Sequence, residues 1–203
     1  MTSAPHPDAA CLGRVGPNAV LQLIAALRAA GLEGRLAALF TACGVADWLS
    51  APPAAMVDEH DVARLHQGLR AGFAPALAER LLDQAGHRTA AYLLSARIPP
   101  LAQRVLKALP PSLAARLLVM AIRRNAWTFA GSGRFTPRVG RTVRLEIEGN
   151  PFCAGEYAAA PVCHWHRAVF AHLFKTLVSP RAQVVETGCE AAGGRCCAFE
   201  VSW

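Results

Sequence analysis

The hydrophobic period changes once along this chain, at the glycine turn 131–133, and that change limits the fold more than any other feature. Over 17–129 apolar residues recur at the spacing of amphipathic helices, in segments separated by Pro or Gly. The first segment, "GPNAVLQLIAALRAAG", has Pro17 suited to the first turn and Gly31 to the stop. Further helices are expected over 32–43, 75–85, 87–95, 99–108 and 112–125, and "DEHDVARLHQGLRAG" sets Val62, Leu65, His66 and Leu69 on one stripe. Beyond the turn, "RTVRLEIEG" alternates, with Val143, Leu145 and Ile147 on one face, as a half-buried strand does. A helix fits 161–178, and strands 183–187 and 196–201 form a hairpin around "EAAGG". The expected class is α+β: one domain over 1–203, with a helical part at 13–130 packed with an antiparallel sheet in 131–203.

Hydrophobic residues make up 53% of the chain and charged ones 17%, enough apolar surface to exclude disorder. The longest stretch without a charge, 15–27, has 13 residues, short of the roughly 20 that cross a bilayer. With no basic cluster leading into an apolar run at the amino terminus, the protein is read as cytoplasmic. A reducing compartment disfavours disulfides, so the seven cysteines point to metal binding or burial; Cys11 and Cys43, alone among alanines, read as buried hydrophobes. The net charge of +7 is uneven, because 84–145 holds 11 Lys and Arg and no acidic residue. Such a field suits an anionic partner, and a solvated surface is the bland alternative.

"VVETGCEAAGGRCCAFEV" gathers three cysteines and a glutamate around a glycine turn. Glu186 and Cys189 converge only if the strand bends, which Gly188 permits. Cys197 shares its face with Phe199 and Val201 and points inward, opposite Cys189. Two thiolates on a turn are half of a tetrahedral zinc site. The start of the helix in "APVCHWHRAVF" offers Cys163, where a thiol is easily ionised. The expected ligand set is Cys163, Glu186, Cys189 and Cys197; reduced core cysteines, or a Cys189–Cys197 disulfide, are the alternatives.

The spacing C-x22-E-x2-C-x7-C resembles the zinc-binding pattern of the 4-vinyl reductase domain family, found also in aromatic-sensing modules of phenol-responsive regulators. The resemblance implies zinc on Cys163, Glu186, Cys189 and Cys197 beside a buried apolar ligand pocket. "GRVGPNAV", "AGHRTAAYLLSARIPP", "LPPSLAARLL" and "AIRRNAWTFAGSGRF" are similar to the J-protein family of bacteriochlorophyll synthesis, which carries the label 4-vinyl reductase. It also implies the fold of a superfamily shared with haem-based nitric-oxide sensors and a vesicle-tethering subunit.

That label implies reduction of a vinyl group on a chlorophyll precursor, yet "GSGRFTPRVG" lacks the third glycine of a dinucleotide fingerprint and precedes a strand. Four protein ligands close a zinc ion to substrate, so the zinc is expected to be structural, and a Glu in a tight knuckle disfavours an iron–sulfur cluster. The reading that follows is a carrier of a Mg-tetrapyrrole; the alternative is a divinyl-chlorophyllide vinyl reductase or an accessory subunit of one. A broad apolar ring with carboxylates calls for aromatic walls and arginines, offered by Arg123, Arg124, Trp127, Phe129, Arg134 and Phe135, with His166 near. Core packing of Trp127 and Phe129, and solvation of the arginines, is the bland alternative. Expected partners are the tetrapyrrole, other bacteriochlorophyll-synthesis enzymes and a second copy of the chain, with contact to the photosynthetic membrane peripheral only. Nucleic acid is not expected, because the arginines are scattered over several helices.

Overall fold

The computed structural model describes residues 13–203, so Cys11 lies outside the described residues. A short ladder pairs β1 (Arg14–Val15) with β2 (Val57–Asp58), and around it run α1 (Asn18–Ala29), α2 (Glu33–Ala42) and α3 (Glu59–Gly72). Asp58 starts α3 by accepting the His60 N–H at 2.8 Å, a bond that holds its carboxyl below the usual carboxylate range. The stripe anticipated on α3 is buried at Val62, Leu65, His66 and Leu69. Pro75, Pro100 and Pro111 open α4 (Pro75–Tyr92), α5 (Pro100–Ala108) and α6 (Pro111–Arg124), where a missing N–H costs nothing. Among the described residues, no helix is long and apolar enough to cross a membrane.

One helix replaces the two expected around Gly86. α4 runs on to Tyr92 and relaxes into a π turn at Leu93–Arg97. Gly86 is a crossing point rather than a break: a Cβ there would lie 2.5 Å from the Trp165 carbonyl oxygen and 2.7 Å from the Ala168 Cβ. Its missing side chain lets α4 lie tight against the last helix.

After the single turn α7 (Trp127–Ala130) the chain enters an antiparallel sheet of β3 (Arg134–Val139), β4 (Val143–Glu148), β5 (Gln183–Gly188) and β6 (Cys197–Ser202), in the order β3-β4-β6-β5. Sequence periodicity does not announce β3, because Pro137 and alternating arginines hide a strand that an edge position tolerates. Glu59 fixes the turn before it: its carboxylate, buried to 5% exposure, accepts the Ser132 N–H at 2.7 Å and the Ser132 hydroxyl at 2.6 Å. Gly131 has φ +56° there, and any Cβ would collide with the Glu59 carboxylate.

The pairs Val143↔Val201, Leu145↔Phe199 and Ile147↔Cys197 place six buried side chains on the inner face of the sheet. Against it lies α8 (His164–Leu177), with α4 packed along α8 and α1 along α4. The buried apolar residues form one continuous cluster from Val15 to Val201. The α+β reading holds: helices cover one face of an antiparallel sheet.

Candidate metal centre

Four chain segments meet at one end of the sheet. Cys163 is the N-cap of α8, Cys189 follows β5, Cys197 opens β6, and Cys153 ends a 3-10 turn, Pro151–Cys153, after β4. All four are buried, and their sulfurs lie within 4.8 Å of one another. Five of the six separations are 3.4 Å (Cys163–Cys197), 3.5 Å (Cys153–Cys197), 3.8 Å (Cys163–Cys189) and 3.9 Å (Cys153–Cys163 and Cys189–Cys197). Four sulfurs at about 2.3 Å from a tetrahedral zinc stand about 3.8 Å apart. The donor set therefore fits that ion.

Thiols this close cannot ionise independently. The Cys163 thiol is pushed far up, chiefly by its hydrogen bond with Cys153, while Cys189 is pulled down by hydrogen bonds from Cys153, Cys163 and Cys197. A divalent cation removes that conflict by making every sulfur a thiolate acceptor. The surroundings suit thiolates as well: the fully buried Asn150 donates its Nδ2–H to the Cys163 sulfur at 3.3 Å.

Sequence spacing singles out Cys163, Cys189 and Cys197, and the fold brings these together. Glu186, the remaining expected ligand, stands alongside: its Oε2 accepts the Cys163 N–H at 2.9 Å, while Oε1 is buried with no hydrogen-bond partner. Burial, followed by the charge of Cys189, pushes the Glu186 carboxyl up to about 9. A β-bulge between Glu186 and Gly188 makes the expected bend. The fourth of the mutually close donors is Cys153, which no spacing announces.

Cys153 is carried by a heavily braced loop. The Glu190 carboxylate accepts the N–H groups of Gly149 at 2.6 Å and Asn150 at 2.8 Å. The Asn150 side chain accepts the Phe152 N–H at 3.2 Å. From α3, Arg70 donates to the Phe152 carbonyl and to Glu156, both at 2.8 Å. The Phe152 ring stacks on Trp165, with centroids 5.2 Å apart, and meets His66 edge-on.

The expected ligand-binding residues divide in two. Phe129, Phe135 and His166 pack with Phe170 over the sheet, their rings filling the shared space at centroid distances of 5.2–6.4 Å. The His166 Nε2 lies 3.3 Å from the Phe129 carbonyl and its Nδ1 is buried without a partner; burial lowers this histidine to about 4. Arg123, Arg124, Trp127 and Arg134 are exposed. A hollow lies elsewhere: an open groove of about 590 Å³ between α2 and α3, lined by Ala38, Leu39, Gly68 and Phe73 with Arg35 and Arg64. Sequence periodicity marks the buried stripes of both helices but not the space between them.

Residues 143–202, which carry all four cysteines, match the 4-vinyl reductase domain. The bacteriochlorophyll synthase 23 kDa chain of Cereibacter sphaeroides is 48% identical over 188 residues, 93% of this chain and 90% of that one. The chain of the same description from Rhodobacter capsulatus is 42% identical over 187 residues, covering 92% and 85%. Among solved structures, the phenol-responsive sensory domain of the transcription activator PoxR, crystallised with phenol, superposes with a TM-score of 0.53 at 14% identity, over 71% of this chain and 74% of that one. At that identity the likeness is one of fold.

Proposed function

Since the chain belongs to the family of the bacteriochlorophyll synthase 23 kDa chains, we propose that it serves bacteriochlorophyll synthesis as a zinc-stapled protein that binds and delivers a Mg-tetrapyrrole intermediate. The observation that carries this reading is the sulfur tetrahedron, whose edges of 3.4–3.9 Å suit a four-coordinate zinc. Cys153, Cys163, Cys189 and Cys197 would hold the ion, with Glu186 fixing the Cys163 backbone beside them. Bound there, zinc supplies a cross-link among four segments and leaves no open position for substrate. The chain's own contribution is the rigid platform that the staple braces.

For the tetrapyrrole we assign the groove between α2 and α3. Its volume suits a ligand of that size, its floor is apolar, and Arg35 and Arg64 stand where ring carboxylates would reach them. The exposed Arg123, Arg124 and Arg134, which the sequence offers for the ligand, do not line this groove.

Mixing the purified, zinc-analysed protein with Mg-protoporphyrin tests the reading. It requires stoichiometric zinc and a saturable Soret shift, weakened in Arg35→Gln/Arg64→Gln and retained in Arg134→Gln. Loss of the 8-vinyl group from a divinyl substrate on adding protein and a reductant would replace the carrier with a reductase or its accessory subunit. No shift at any concentration would remove tetrapyrrole binding altogether.

A further inference from the structure

The consecutive helices α5 and α6 leave apolar side chains in water on one face each. On α5, Leu101 and Val105 are one turn apart, and on α6, Leu113, Leu117 and Met120 follow the same spacing; all five are 42–69% exposed. The opposite stripe of α6, at Ala114, Ala115, Leu118, Val119 and Ile122, is already buried in the core, so the exposed one is surplus to folding. Helices of 9 and 14 residues are too short to cross a bilayer but long enough to lie in its surface.

The charges beside these stripes all have one sign. By helical spacing Arg104 and Lys107 flank the α5 stripe, and Arg116 and Arg123 flank that of α6, with Arg124 at its end. No acidic residue occurs anywhere in 84–145. Trp127, 37% exposed, follows closely after α6 and offers the amphipathic ring that favours a membrane–water boundary. A second copy of the chain on this face would bring cations against cations, whereas anionic headgroups complement them.

We propose that the α5–α6 hairpin docks the protein on an anionic lipid bilayer, its aliphatic stripes entering the headgroup boundary and its Lys and Arg contacting phosphates. The surface is separate from the metal centre and from the groove between α2 and α3.

Flotation of the full chain with phosphatidylcholine vesicles, with and without phosphatidylglycerol, tests this. The protein should float with the anionic vesicles, less so as salt is added, and stay behind with the neutral ones. Replacing Leu101, Leu117 and Met120 by Gln should lower partitioning about a hundredfold. Arg116→Gln/Arg123→Gln, which leaves the apolar stripes intact, should lower it about thirtyfold and carries the same test if the first variant misfolds. Failure to float with either vesicle, or flotation undiminished in the arginine variant, overturns the proposal. So does a parent dimer that the leucine and methionine changes convert to monomer without any vesicle binding, which would assign the face to a second copy.

Discussion

The cysteine end of the sheet and the α5–α6 hairpin use their side chains in opposite ways. At the first, four segments far apart in sequence turn sulfurs, a carboxylate and an amide inward, and the braces around them are nearly all partnered and buried. At the second, local helices keep one apolar stripe inside and show another to solvent. A region assembled from distant pieces depends for its folding on what holds the pieces together; a region assembled from neighbours can leave a surface free for a partner. Substitution should therefore be costly at the first and nearly silent for stability at the second.

The largest effect is expected from Cys189→Ser. Structural zinc contributes about 10 kcal/mol or more to small folds that depend on it, so loss of one thiolate should release the metal and unfold the region around the sheet. Metal content and near-ultraviolet circular dichroism check this; a folded variant that keeps its zinc would break the contrast. Arg70→Ala comes next, because it leaves Glu156 and the Phe152 carbonyl without their partner, at a cost of about 3–5 kcal/mol in denaturant unfolding. Gly86→Ala should cost about 1–3 kcal/mol, since the new methyl meets backbone on α8 and the helices must part.

Acid gives a smaller and graded effect. Burial lowers His66 to about 3 and His166 to about 4, from an ordinary 6.5. Above that ordinary value neither state binds a proton there; below it the unfolded chain takes up protons that the folded one refuses. Stability should fall from pH 6.5 downward, by about 2 kcal/mol per histidine at pH 5, until the folded values are passed. His66→Phe should flatten the pH 5–6.5 part of the melting curve, whereas an unchanged slope would assign the loss to the thiolates. The smallest effect belongs to the hairpin: Met120→Gln should change stability by no more than about 0.5 kcal/mol, and a larger loss would mean that this face is packed in solution.

Helices and inner strands are legible in the sequence because each buries one side against a single neighbour, and the period records that side. Gly86 misleads because a residue without a side chain reads as a stop, while its use here is to admit another helix. β3 is hidden by its place at the sheet edge, where Pro137 and exposed arginines carry no alternating apolar signal. The bulge before Cys189 is legible from Gly188. Cys153 is not, since its distance from Cys163 follows no ligand spacing and only the braces from Glu190 and Arg70 bring it inward. The aromatic stretch reads as a ligand chamber because composition does not distinguish rings that line a space from rings that fill one.

Zinc K-edge absorption on freshly purified protein tests the central claim most directly. The account predicts one zinc per chain in a shell of four sulfurs at about 2.3 Å, with Cys153→Ser losing one of them. A shell of three sulfurs and one oxygen that is unchanged by that variant would transfer the fourth place to Glu186. A metal-free protein with its cysteines reduced and its fold intact would contradict the account.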